Sequence, residues 1–141
     1  MKKINGKKIL CLVSACFAAS LSAYANDVAD YAQLSAQVAA NDVNITATTD
    51  ITDIAAVLNY GYTGEVHSSV AATVRNFSNA DGGNTSLFNV TAGAGDLTLR
   101  DLSLSGRNGN TVSLVNNSNA LTTNNTTFTN SGNSALVNSI A

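Results

Sequence analysis

Asp96-Leu97-Thr98-Leu99-Arg100-Asp101-Leu102-Ser103-Leu104-Ser105-Gly106 places leucine at every second position, loses step at Arg100-Asp101, and then resumes. Alternation of this kind is the period of a strand with one face buried, and the lost step marks a corner between two short strands. The pattern returns further along as Ala120-Leu121-Thr122-Thr123-Asn124-Asn125-Thr126-Thr127-Phe128-Thr129-Asn130. Leu121 stands where Leu97 stood, and Phe128 where Leu104 stood. Ser113-Leu114-Val115-Asn116 is likewise anticipated by Ser86-Leu87-Phe88-Asn89. A period in the low-to-mid twenties, with short strands in each unit, predicts coils that stack in parallel one upon the next.

The same period extends outward from this stretch. Val43, Ile45 and Ala47 alternate with polar residues, as do Val112 and Leu114. Between the runs lie Asp81-Gly82-Gly83-Asn84, Gly93-Ala94-Gly95-Asp96, Gly106-Arg107-Asn108-Gly109-Asn110 and Asn116-Asn117-Ser118-Asn119. Glycine and asparagine tolerate positive φ, so each cluster reads as a turn. Coils at a ~4.8 Å spacing bring equivalent Asn and Thr side chains within hydrogen-bonding reach, which predicts ladders of them along the stack. Upstream the period is helical. Val28, Tyr31, Leu34 and Val38 share one face of a helix expected from Asn26 to Asn41, with Asp27 capping it and Asp30 three residues on.

The stretch from Met1 to Ala25 has a different character. Four lysines precede an apolar run from Ile9 to Leu21, and Ala23-Tyr24-Ala25 follows. This is the three-part layout of a secretory signal peptide. It predicts recognition by signal peptidase at Ala23 and Ala25, a mature N-terminus at Asn26, and the export translocase as a transient partner. Val13-Ser14-Ala15-Cys16 offers a competing lipoprotein box with Cys16 acylated. The apolar run continues past that cysteine to a good Ala-x-Ala, which favours ordinary cleavage.

Removing the leader removes every lysine and both cysteines. Three arginines then stand against nine acids, a net charge of −6. Such a balance gives no electrostatic footprint for nucleic acid or an anionic membrane. Without cysteine there is no disulfide framework, and stability rests on burial and backbone pairing. Asn, Thr and Ser exceed a third of the mature chain, but the recurring Val, Ile and Leu argue for a folded β protein over a disordered one.

Three stretches carry a family likeness: Ala72-Thr73-Val74-Arg75-Asn76-Phe77, Leu87-Phe88-Asn89-Val90 and Gly95 to Gly106. They resemble the right-handed parallel β-helix of pectin-lyase-like proteins, and within it the passengers of autotransporter adhesins and polymorphic outer membrane proteins. The resemblance implies an all-β chain: a signal peptide over 1–25, an N-terminal capping helix over 26–42, and about three to four coils over 43–141. It also implies a cell-surface or extracellular place, an adhesive or structural role, and host or neighbouring-cell surface glycans or proteins as partners. The sequence stops at Ile140-Ala141 in mid-repeat, so the reading is of the first three or four coils of something longer, or of a truncated gene, with an open C-terminal edge prone to self-association.

Candidate chemistry is sparse. His67 is the lone histidine, read as a loop residue and, without a second His or a mature-chain Cys, a poor start for a metal set. Asp50 and Asp53 are the nearest thing to a carboxylate pair for acid–base work on a glycan. Asp96, Arg100 and Asp101 form a charged group at a strand corner, but lack the acids spaced a coil apart that the resemblance would require of a calcium-dependent lyase. Asp81-Gly82-Gly83-Asn84 lacks the ordered ligands and closing Glu of a calcium loop. The expectation is no cofactor, no metal and no catalysis. A secreted polysaccharide lyase or glycoside hydrolase on the same fold is the alternative, and a lipoprotein acylated at Cys16 a third.

Overall fold

The computed structural model describes residues 26–80, 85–93, 95–106, 112–129 and 136–139. The leader, with Cys16, Ala23 and Ala25, lies outside them, as do the turn at 81–84 and most of that at 106–110.

The chain opens with a two-residue strand, β1 (Asp27–Val28), and a helix, α1 (Tyr31–Ala39). Three strands follow: β2 (Asn44–Ala47), β3 (Ile51–Ile54) and β4 (Leu58–Tyr60). Three more triplets succeed them. They are β5 (Gly64–Ser68), β6 (Arg75–Asn79) and β7 (Phe88–Val90); β8 (Leu97–Arg100), β9 (Leu102–Ser105) and β10 (Val115–Asn117); and β11 (Leu121–Asn124), β12 (Thr127–Thr129) and β13 (Val137–Ser139). From β2 onward every third strand pairs, always in parallel, giving three sheets: β1-β2-β5-β8-β11, β3-β6-β9-β12 and β4-β7-β10-β13. This is a parallel β-solenoid, and β2 to β11 spans three complete turns. We call the sheets A, B and C in that order.

The register is the one the repeat predicts. Leu97 pairs with Leu121, Leu104 with Phe128, and Phe88 with Val115. Alternate residues point into the bore, so Ile45, Val66 and Leu99 stack along sheet A while Phe77 and Leu104 stack along sheet B, all with no exposed surface. Each such side chain contributes roughly 1.5–3 kcal/mol through removal from water. The coils are unequal. Val66 follows Ile45 much sooner in the chain than Leu99 follows Val66, because the corner loops absorb the difference.

The N-terminal end of the bore is closed. Asp30, not Asp27, caps α1 by accepting from the Gln33 backbone N–H at 2.8 Å. The Gln33 side chain reaches back to the Ala29 N–H at 2.7 Å, a near-reciprocal box. The helix stops in a Schellman turn: Asn41 is left-handed (φ 59°), its N–H bonds to Val38 O, and the Asp42 N–H bonds to Gln37 O. Leu34 and Val38 are buried and plug the bore. Asp27–Val28 is therefore strand where the sequence led us to expect helix. Val28 pairs with Ala47 and is fully buried, since the edge of β2 offers it a backbone partner that a first helical turn lacks.

Three further expectations are corrected. Val43 is 62 % exposed and precedes the strand instead of starting its buried face. Val112-x-Leu114 is not a strand, and Asn116-Asn117 is not a turn. The chain bends at Leu114, whose N–H bonds to Leu136 O while its carbonyl accepts from Leu87 N–H. Leu114 and Val115 both face inward across that bend, and Asn116-Asn117 continue as strand.

Candidate functional site

Side chains that alternate out of the bore form three long faces, and these faces are where chemistry must lie. On sheet C the outward residue of each triplet is asparagine: Asn59, Asn89, Asn116 and Asn138 stand in register. Asn89 Nδ2 donates to Asn59 Oδ1 at 2.9 Å, and Asn116 Nδ2 donates to Ser86 Oγ at 2.9 Å. The predicted row of asparagines is present in register, and one rung of it, Asn89 to Asn59, is closed by an amide–amide bond, while Asn116 ties its coil to the one before through Ser86.

Sheet B turns mostly hydroxyls outward, in rows Asn76-Ser103-Thr127 and Ser78-Ser105-Thr129. Beside them Thr52, Asp53, Ser78, Asn79, Ala80, Ser105 and Gly106 line an open groove of about 620 Å3. Asn79 is only 3 % exposed and donates to Thr85 O at 2.8 Å. Asp53 belongs to this groove, whereas Asp50 is turned to the next coil, accepting from Asn76 N at 3.0 Å and Asn76 Nδ2 at 2.9 Å. Those two bonds hold the Asp50 carboxyl below the usual carboxylate range. The two acids are thus not a pair facing across a cleft.

The ion pairs among the described residues gather on sheet A and its corner. Arg100 donates from Nε to Glu65 Oε1 at 2.6 Å and from Nη1 to Asp101 Oδ2 at 3.4 Å. Its guanidinium is held charged chiefly by Glu65. Asp101 is the corner residue the sequence predicts, left-handed at φ 56° and almost fully buried. One coil on, Asn125 takes the same conformation (φ 47°) and donates from Nδ2 to Asp101 Oδ1 at 2.6 Å. That bond, first among several, depresses the Asp101 carboxyl. Asp96 joins neither partner; its backbone bridges coils, with its N–H on Thr63 Oγ1 and its carbonyl accepting from Gly64 N–H.

His67 lies on β5, not in a loop. Its ring spans the face, with Nδ1 2.8 Å from Ser68 O and Nε2 2.9 Å from Asn44 Oδ1. A carbonyl facing Nδ1 makes that nitrogen a donor, which leaves Nε2 of the neutral ring an acceptor for the Thr46 hydroxyl at 3.4 Å and, with the Asn44 amide turned to present its NH2, for Asn44. Glu65, Asn76 and Asn125 are the partners the residue-by-residue reading missed. Asn125 alone had a visible signal, since it holds the place in its repeat that Asp101 holds in the one before.

One buried polar feature lies inside. Tyr60 and Tyr62 stack with ring centroids 4.2 Å apart, and their hydroxyls lie against each other with no further partner among the described residues. Burial pushes both phenols up. Gly64 makes room for them: a Cβ there would stand 2.9 Å from Val43 O and closer still to the Tyr60 hydroxyl.

Among the described residues no three His, Cys, Asp or Glu side chains gather as a metal set, and no helix is long and apolar enough to cross a membrane. Asn26, the expected mature N-terminus, is the first described residue, and its carbonyl accepts from the Thr46 N–H at 2.9 Å. No protein-family model, curated protein or solved structure matches this chain.

Proposed function

We propose that this chain is an exported structural module, the N-terminal coils of a surface-associated β-helix passenger of the autotransporter-adhesin type. The carrying observation is a solenoid closed at its N-terminal end by α1 and β1, standing directly behind a leader of export character. A passenger needs that order: a processed leader, a plug, then coils that display side chains over a long, stiff surface. Arg100 favours this role over polysaccharide cleavage. In the polysaccharide lyases that the fold resembles an arginine is the proton-abstracting base; Arg100, engaged by Glu65 and Asp101, is not free for that role.

The test is cell fractionation of the full-length product, with N-terminal mass spectrometry and protease shaving of intact cells. The reading expects a mature chain beginning at Asn26, in the envelope or medium and cleavable from outside. An unprocessed cytoplasmic product overturns it, and an acylated N-terminal Cys16 replaces it with the lipoprotein. Residues 26–141 should also leave polygalacturonate intact with or without calcium. Ultraviolet-absorbing unsaturated product, lost in Arg100→Ala, would instead install the lyase.

A further inference from the structure

The groove on sheet B is built by a fault in the repeat. Ile51 pairs with Phe77 and Ile54 with Asn79, so β3 carries two residues, Thr52 and Asp53, where β6 has Ser78 alone. This is a β-bulge, and it turns both side chains outward between two buried isoleucines. Ser78 and Ser105 stand in register on the next two coils, so the groove of about 620 Å3 crosses three coils along the solenoid axis. Its polar groups are largely free. Asp50, Glu65 and Asp101 are each bonded within the fold, whereas the Asp53 carboxylate and the Ser105 hydroxyl have no side-chain partner among the described residues. Asn79, almost fully buried in the groove wall, gives its Nδ2 to Thr85 O and leaves its Oδ1 without a partner.

We propose that this groove binds an uncharged glycan laid along the solenoid axis, with ring hydroxyls donating to Asp53 and exchanging hydrogen bonds with Thr52, Ser78 and Ser105. The lining selects the ligand. A carboxylate, a bare amide oxygen and hydroxyls call for a ligand rich in donors. One acid and no base among the described lining residues disfavour an anion. Ala80 is the only apolar side chain among them, which disfavours a lipid or an apolar peptide. The spacing fits as well. Successive rungs stand one strand separation apart, ~4.8 Å, close to the length of a pyranose unit in an extended chain. Adjacent hydroxyls of one ring reach both oxygens of a carboxylate, so Asp53 fixes one ring while the serines meet the units that follow. This site rests on the adhesive reading above, for which it names a class of partner, and it lies away from the Arg100 cluster of sheet A.

The test is an NMR titration of the mature chain, residues 26–141, which contains every core residue described. The probes are cellohexaose, maltohexaose and mannohexaose, with polygalacturonate and a chitosan hexamer as the anionic and cationic comparisons. At least one uncharged hexaose should shift the amides of Asp53, Ser78 and Ser105 saturably and leave sheets A and C as they were, a readout that needs no variant. Asp53→Ala should weaken that binding about tenfold or more, through loss of hydrogen bonds to a charged group. Because Asp53 is exposed and unpaired, the same variant should keep its urea midpoint. Thr122→Ala, on the exposed face of sheet A, should change neither. Silence from every uncharged hexaose overturns the proposal, as does binding that Asp53→Ala leaves unchanged or that shifts sheet A or C instead. A response to polygalacturonate or to the chitosan hexamer alone also overturns it, for the groove would then select a charge. The titration needs no exported protein. A chain that stays unprocessed in the cytoplasm fails the adhesive reading, whereas a chain that is exported but silent here fails the glycan alone.

Discussion

β8 with β9, and β11 with β12, repeat one pattern of two short strands about a left-handed corner and are stacked in register, yet they live in different environments. Leu97, Leu99 and Leu104 have no exposed surface. Their counterparts Leu121 and Phe128 are half-buried, and Thr123 is exposed. The sequence pattern makes a strand; the coil above and the coil below make it core. In a solenoid the burial of a residue is thus shared property, and stability is a sum over neighbouring coils.

The sharpest break in that comparison is truncation of equivalent side chains. Leu104→Ala leaves a cavity between two covering coils and should cost about 2–5 kcal/mol. Phe128→Ala removes a larger side chain but one still wetted, and should cost about 1–2 kcal/mol. Urea unfolding of dilute 26–141 measures both. Equal losses would mean that the last coil is as enclosed as the third.

That contrast also marks how far the sequence could be read. The registers of Leu97 with Leu121 and Leu104 with Phe128 were legible because Asp101 and Asn125 turn the same corner between the same two strands, which keeps the spacing of the two pairs equal. The partnership of Arg100 with Glu65 was not, because 35 residues separate them and the loop lengths set that figure. Asn116-Asn117 reads as a turn by propensity; a ladder partner at Asn89 overrode it. Asp27–Val28 reads as helix by period, and an unfilled edge at β2 recruited it instead. Local patterns show through wherever the neighbour is a repeat of the same pattern. They fail where the neighbour is set by loop length or by an edge.

The corner itself gives the next, smaller test. Asp101 and Asn125 both hold left-handed backbone, which alanine tolerates poorly, and each is bonded to the other. Asn125→Ala should cost about 1–2 kcal/mol, from one lost hydrogen bond and the strained backbone. Asp101→Ala should cost more, for it also deserts Arg100 from an almost fully buried site. Glycine at either position separates the two causes, since it relieves the backbone and leaves the bond missing. A glycine variant as unstable as the alanine one would assign the whole loss to the bond.

Exchange measured at low concentration, where copies stay apart, should grade along the stack. Amides of β5 and β8 lie inside sheet A with strands on both sides and should exchange slowest. Those of β11 to β13 have a neighbour on one side only and should exchange fastest among the strands. Protection in β11 equal to that in β8, at a concentration where sedimentation shows monomer, would mean that the edge is covered from within.

Acid should produce the smallest and most selective effect. The carboxyls of Asp101 and Asp50 are depressed in the folded chain, chiefly by the amides of Asn125 and Asn76. In the unfolded chain both titrate near the ordinary ~3.9. A depressed folded value means stability that is complete above about pH 4 and is lost as pH falls through the folded values. The urea midpoint should therefore be flat from neutral to weakly acid pH and fall below about pH 4. Residues 108–141 contain no ionisable side chain, so the last coil feels acid only through Asn125 on Asp101. Asp101→Asn should accordingly flatten the acid limb more than Asp50→Asn, whose carboxylate sits on an exposed edge. Should Asp50→Asn flatten it more, the tie between the third coil and the last would not be electrostatic, and their difference would rest on apolar cover alone.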